Sequence, residues 1–365
     1  MRGKLIMRQD MPRLIAWLRK EHEVIAPFAG RDRDSYFDIV TDTNVAEIAI
    51  HLPNPYYPPK RYVTPHIQKL LKYQTGEKVS IEEICEEKKR AIFGIRSCDV
   101  AGIFHLDRFF LGNAFKDDYY EALRSRLFIV NMVCTDKNVD IDDDCFCVCA
   151  DAGPAARDHF DLQLMDLHND AGEFLAVAGS EAGEKLLAEP FFTKAGATHV
   201  QRRRSVQEDV RKNFKLATGW YSAATRLITK GGIKDETWKH IGDRCLECGG
   251  CNFVCPTCTC FTVTDRPTGK GGYERVRMWD ACALSGFTRM AGGHNPRKAV
   301  NDRRNRRFFR KLGHYFIQRE LSQACVGCGR CVRVCHGDIG MPSVVEILRR
   351  ESMAKPAVSA EGAKS

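Results

Sequence analysis

The stretch Cys245-Leu246-Glu247-Cys248-Gly249-Gly250-Cys251-Asn252-Phe253-Val254-Cys255-Pro256 spaces four thiols three, three and four positions apart. The same spacing returns 80 residues later as Cys325-Val326-Gly327-Cys328-Gly329-Arg330-Cys331-Val332-Arg333-Val334-Cys335. Glycines fall inside both loops, at Gly249, Gly250, Gly327 and Gly329. A loop that wraps a metal group must bring backbone close to sulfur and turn its N–H groups inward, which glycine permits.

The spacing is that of the bacterial two-cluster ferredoxin run, in which three thiolates of a loop hold one cubane and the fourth reaches the other. It assigns Cys245, Cys248, Cys251 and Cys335 to one [4Fe–4S] cluster, and Cys325, Cys328, Cys331 and Cys255 to a second. A pair of structural zinc sites is the alternative, since CxxC pairs bind zinc too. Two quartets at one ferredoxin spacing favour the clusters. His336 stands where the first loop has Pro256, which bears on the turn more than on ligation. Some 70 residues separate the loops, and helical runs such as Arg303 to Arg319 lie between them. A mainly α-helical two-cluster ferredoxin domain is expected.

Composition agrees with metal rather than disulfides. The chain has 365 residues, 44% hydrophobic and 28% charged, and 17 of them are Cys. About two domains are expected from the length. No run of about 18 apolar residues occurs, and charges flank the one apolar stretch near the start, Leu5-Ile6-Met7. Neither a spanning helix nor a secretory signal is expected, and the expected location is the reducing cytoplasm, where disulfides are rare.

A second thiol constellation lies nearer the N-terminus. Ala91-Ile92-Phe93-Gly94-Ile95 and Leu127-Phe128-Ile129-Val130 read as buried strands. Between them Asp99 could cap a helix carrying Val100, Ile103, Phe104, Phe110 and Leu111. In such a βαβ unit the strands are parallel, and residues just past their carboxyl ends share one sheet edge. Cys98 follows the first strand, Cys134 the second, and Cys145-Phe146-Cys147-Val148-Cys149 comes soon after. Cys98, Cys134, Cys145 and Cys147 thus form a candidate third cluster site, with ordinary buried thiols as the alternative. The fold expected is an α/β N-terminal domain with a small sheet over 1–200, a helical linker over 201–240, the helical dicluster domain over 241–350 and a flexible tail over 351–365.

The phrases Ile95-Arg96-Ser97-Cys98-Asp99, Asp144-Cys145-Phe146-Cys147-Val148, Cys251 through Cys260, and Met290-Ala291-Gly292-Gly293-His294 resemble the iron–sulfur electron-transfer component of anaerobic sulfite reductase. The beta subunits of soluble nickel–iron (sulf)hydrogenases are similar in the same places. The resemblance runs from about residue 90 to residue 340; residues 1–90 carry little of it. It implies an electron-transfer subunit between a flavin subunit that oxidises NAD(P)H and a terminal catalytic subunit, with siroheme sulfite reductase as the first reading and a soluble nickel–iron hydrogenase as the alternative. It also implies thiol ligands at Cys98, Cys134, Cys145 and Cys147. Cys149 matches a position that is typically Ser and reads as a neighbour. Asp99 is the substitute oxygen ligand should one thiol lie too far away. Cys258, Cys260 and Cys282 match the family pattern and read as structural thiols or sulfur dipoles beside a cluster, with additional ligation as the alternative. Cys85 reads as a helix thiol.

No GxGxxG follows a strand, the nearest stretch being Gly269-Lys270-Gly271-Gly272 beside Pro267. Flavin and nicotinamide are therefore expected on a partner subunit. Cys251 and Cys255 alone suggest half of a siroheme pattern, but the ferredoxin loop uses both, so no substrate-reducing centre and no activity of the chain alone are expected. The net charge is +9 and concentrates in Arg297, Lys298, Arg303, Arg304, Arg306, Arg307, Arg310 and Lys311. A nucleic-acid patch is one reading of such a run. A face that docks an acidic partner or shields the negative charge of thiolate-ligated cubanes is favoured. Arg202-Arg203-Arg204 reads as a solvated helix face, and His294 as a turn residue held by a structural hydrogen bond rather than a proton shuttle. A metal-stapled nucleic-acid-binding protein remains the alternative from another class.

Overall fold

The two apolar runs at 91–95 and 127–130 are neighbouring parallel strands at the centre of a sheet in the computed structural model, which describes residues 3–32, 34–52, 54–135, 144–212, 220–321 and 324–353. In chain order the first part consists of β1 (Lys4–Met7), α1 (Met11–Leu18), β2 (Glu23–Ala29), β3 (Ser35–Ile39), β4 (Ile67–Gln74), β5 (Ser80–Glu83), β6 (Arg90–Arg96), α2 (Ser97–Phe110), α3 (Asp118–Arg124), β7 (Leu127–Met132), β8 (Leu162–Asp166), β9 (Glu173–Ala178), α4 (Glu181–Leu187) and β10 (Thr193–Lys194). The sheet is larger than the small one expected: eight strands in the order β10-β1-β9-β8-β7-β6-β2-β3. β2, β6, β7 and β8 run parallel and the flanking pairs are antiparallel.

Unbroken apolar runs suit β6 and β7 because both faces are covered. Phe93, Phe128 and Val130 pack on one side with Leu14, Ile15 and Leu18 of α1. Ile92, Ile95 and Ile129 pack on the other with Val100, Ile103 and Leu106 of α2. Ile92 and Ile95 reach one face although three positions apart, because Gly94 takes φ +78° and shifts the register between Phe93 and Ile95. That bulge turns the strand end toward the sheet edge where Cys98 begins α2. A Cβ at Gly94 would also press on the Pro27 ring at 3.1 Å.

The second part consists of α5 (Ala197–Lys212), α6 (Trp220–Lys230), α7 (Asp235–Asp243), α8 (Gly250–Phe253), β11 (Phe261–Gly269), β12 (Gly272–Trp279), α9 (Val300–Leu312), α10 (His314–Glu320), α11 (Arg330–Arg333) and α12 (Met341–Met353). The helical run expected from Arg303 to Arg319 is two helices, parted at Gly313. α6, α7, α9 and α12 bury Tyr221, Ile228, Ile241, Phe308, Leu312 and Val344 in one core. This part is less purely helical than the spacing suggested. The interval between the cysteine loops holds the β11–β12 hairpin, which pairs through β12 with β4 and gives a four-stranded sheet, β11-β12-β4-β5. Residues 67–83 are thereby bound to residues 261–279. Residues 213–219 of the expected linker and 354–365 of the expected tail lie outside the described residues.

Candidate metal centre

The two cysteine loops share one local design. Gly249 at φ +72° and Gly329 at φ +75° stand immediately before the one-turn helices α8 and α11, which pack on each other. Cys251 and Cys331 occupy the second position of these helices. Cys245, Cys248, Cys251 and Cys335 line a single small cavity of about 20 Å³, bordered by Arg304 and by His336. The charges of Cys255, Cys328 and Cys331 all act on Cys325. The last cysteine of each loop therefore lies with the first three of the other. Backbone N–H groups turn toward the sulfurs: Glu247 donates to Cys245 Sγ at 3.4 Å, Ile339 to Cys335 Sγ at 3.4 Å and Met341 to Cys331 Sγ at 3.2 Å.

The dispersed thiols also meet. Cys98 opens α2 at the end of β6, Cys134 follows β7, and the 144–152 segment brings back Cys145 and Cys147. Cys147 feels the charges of Cys134, Cys145 and Cys328, and Cys98 those of Cys328 and Cys147. This set adjoins the second ferredoxin loop. Phe146 N–H donates to the Gly327 carbonyl at 2.8 Å, and Asn54 Nδ2 donates to both Cys98 Sγ at 3.6 Å and the Cys328 carbonyl at 3.4 Å. Gly327 has φ +65°, and a Cβ there would fall 2.6 Å from the Cys147 nitrogen. Only glycine lets the two segments approach so closely. Cys149 packs with the core beside the ferredoxin loops.

Burial pushes the Cys98 and Cys147 thiols well up and that of Cys134 up. Burial likewise raises Cys251 and Cys328 to about 11. Cys255 behaves differently: burial opposes its ionisation, yet the Lys311 and Arg307 charges bring it down to about 7. Buried cations run through the site. Lys311 Nζ donates to the Thr257 carbonyl at 2.8 Å and its Oγ1 at 2.6 Å. Lys60 Nζ donates to the Cys258 carbonyl at 2.9 Å and sits 4.2 Å from the centroid of the Trp279 ring. Arg304 Nη1 lies 3.9 Å from Cys251 Sγ. Arg307 Nε and Nη1, and Arg96 Nη1 beside Cys134, are buried without acceptors among the described residues. Buried charged donors require acceptors. Anionic groups rich in sulfur would supply them, so the donor set and its cationic surroundings fit thiolate-held iron–sulfur clusters.

Several expectations are corrected. Asp99 does not cap α2. The cap position is Arg96, and Arg330 Nη1 and Nη2 hold the two Asp99 oxygens at 2.6 and 2.8 Å. Both residues are fully buried, at 0% and 1% exposure, and Arg330 Nε also donates to the Pro55 carbonyl. With both oxygens engaged, Asp99 is tied to a guanidinium rather than offered as a ligand. Cys85 is exposed in an irregular segment after β5, not in a helix, because the neighbouring acidic residues have no apolar face to bury. Of the two readings of the basic run, a docking face and a shield for the clusters, burial of Arg303, Arg304, Arg307 and Lys311 agrees with the second. Arg303 holds the Arg297 carbonyl at 2.7 Å and pairs with Glu247. His294 lies on an exposed turn, which Met290 N–H closes by donating to the His294 carbonyl at 2.8 Å.

Cys258, Cys260 and Cys282 form a hydrogen-bonded thiol network. Asn252, only 1% exposed, donates to Cys282 Sγ at 3.1 Å and Cys258 Sγ at 3.4 Å. Cys260 bonds to both other thiols, and this bond, opposed by burial, lowers Cys282 to about 6. Among the described residues no three His, Cys, Asp or Glu side chains close on the position of a single metal ion. Sequence reasoning missed Asn54, Lys60 and Asn252, which carry no spacing signal. It also missed the inward face of α9, for which a signal existed: Arg304, Arg307 and Lys311 share a helical stripe with Phe308 and Leu312.

Residues 244–339 match the family model of the 4Fe-4S dicluster domain, which makes this an iron–sulfur electron-transfer protein. Over 311 residues the chain is 31% identical to sulfhydrogenase 2 subunit beta of Pyrococcus furiosus, covering 84% of this chain and 87% of the relative. The chain belongs to the sulfhydrogenase beta-subunit family. Of the two families it resembles in sequence, this match falls on the hydrogenase side and not on sulfite reductase. No solved structure matches. Among the described residues no helix is long and apolar enough to cross a membrane.

Proposed function

We propose that the chain is the electron-relay subunit of a cytoplasmic multi-subunit oxidoreductase. It stands between a flavin subunit that oxidises NAD(P)H and a terminal subunit of the nickel–iron hydrogenase type. The crossing of the two loops, which puts Cys335 with Cys245, Cys248 and Cys251, carries this reading. In it Cys245, Cys248, Cys251 and Cys335 hold one [4Fe–4S] cluster, Cys325, Cys328, Cys331 and Cys255 a second, and Cys98, Cys134, Cys145 and Cys147 a third. Each bound cluster would supply a one-electron carrier. The protein's part is to keep these centres close together and dry, with potentials set by burial and by hydrogen bonds to sulfur. The set around Cys147 adjoins Cys328, and Cys331 adjoins Cys251, which supports a relay through neighbouring sites. The domain limits 1–200, 201–240 and 241–350 belong to the same proposal, with the hairpin of residues 261–279 reaching back to the first part.

Anaerobic purification with the associated subunits tests it. Nickel and a flavin chain are expected in the complex, together with reversible bleaching of this subunit by a low-potential reductant. Siroheme in place of nickel would install the second reading, a sulfite reductase relay. NADH-dependent turnover by the single chain would overturn both, and zinc without iron would end the relay.

A further inference from the structure

Arg307 occupies the middle of α9 and is only 4% exposed. Its Nε and Nη1 are buried and have no hydrogen-bond partner. The thiols around it include members of both proposed cluster sites, Cys251 from one and Cys255 and Cys331 from the other, with Cys258 beside them. Arg304, one turn earlier on the same face, differs. Its Nη2 donates to the Ile339 carbonyl, its Nη1 approaches Cys251, and it adds to the field on Cys245, all on one side. α9 thus carries one arginine that serves a single site and one that lies between two.

We infer that Arg307 donates the free N–H groups of Nε and Nη1 into both cluster sites at once and so sets the two reduction potentials together. The inference rests on the reading that both loops hold [4Fe–4S] clusters. A guanidinium offers several donors in a rigid plane, which suits it to acceptors on two sides, whereas an ammonium is a point charge. Reduction adds one negative charge to a centre already anionic. A fixed buried cation therefore favours the reduced state, and salt screens it little. Losing the cation lowers both potentials.

The experiment is a potentiometric titration, followed by electron paramagnetic resonance, of the full chain purified anaerobically with its iron counted. In Arg307→Met both ferredoxin-loop centres should titrate lower. Each should lose about tenfold in the ratio of reduced to oxidised form at fixed potential, or ~59 mV for a one-electron couple. Arg304→Met should move one centre only, and the centre it moves is assigned to the Cys245 set. Arg307→Lys keeps the charge and loses the fork, so both potentials should fall by less. If the methionine variant fails to hold iron, the lysine variant decides, and unmoved potentials in it overturn the inference. Potentials unmoved, or only one moved, in Arg307→Met with full iron would overturn it equally. Wild-type protein lacking two cubane signals would remove the functional reading itself, a different result from two signals that ignore Arg307.

Discussion

The ferredoxin loops and the thiol set at the sheet edge solve one problem by different means. In the loops, eleven consecutive residues bring four cysteines near their places, and two left-handed glycines, Gly249 and Gly329, shape the turn. At the sheet edge, Cys98 and Cys134 are brought together only because β6 and β7 are parallel neighbours, and Cys147 arrives by a separate return of the chain. A site that draws three of its four thiols from one loop survives in a sequence as a spacing. A site assembled by topology is as well defined in space and leaves no spacing behind.

The largest test of this contrast removes a thiol that crosses between loops. Cys255→Ser should strip iron from the site whose other thiols are Cys325, Cys328 and Cys331, a loss of about four irons per chain if the site holds a cubane. Iron lost from the Cys245 set instead would show each loop serving only itself. Cys147→Ser should remove another cubane, from about twelve irons to about eight, with both ferredoxin signals retained. Unchanged iron would leave the sheet-edge thiols as core residues and confine the metal to the contiguous loops.

Smaller effects probe the seam between the regions. Asp99→Ala leaves Arg330 buried and unpaired, so a loss of about 3–5 kcal/mol in unfolding free energy is expected. Iron in the surviving folded fraction should be unchanged, since the carboxylate holds Arg330; four fewer irons there would make Asp99 a ligand. Gly327→Ala forces a side chain into the left-handed region against the backbone at Cys147 and should cost about 1–3 kcal/mol. Gly76→Ala, where a Cβ meets nothing within 4 Å, is the control and should leave the melting temperature in place.

The central strands could be read because unbroken apolar runs report burial on both faces, and the loops because ligation fixes their spacing. Other features lay beyond such reading. The strand Ile67–Gln74, largely exposed, alternates too weakly to declare a partner, and that partner lies about 200 positions away. Asp99 has the residue type and place of a helix cap, and long-range pairing with Arg330 overrides the local preference. The run from Arg297 to Lys311 leaves a docking face and a shield for the clusters both open, because arginine is usually exposed. Its turn inward depends on anionic thiol sites that only the fold assembles.

The pairing of β4 with β12 also constrains the birth of the protein on the ribosome. At about 5–20 residues per second, β4 leaves the exit tunnel roughly 10–40 s before β12 exists. Through that interval Ile67, Leu70, Leu71 and Tyr73 lack the hairpin that later lies beside them. An unpaired strand edge of this kind invites pairing with other chains. The nascent chain therefore passes through a stage in which the β4 edge stands open.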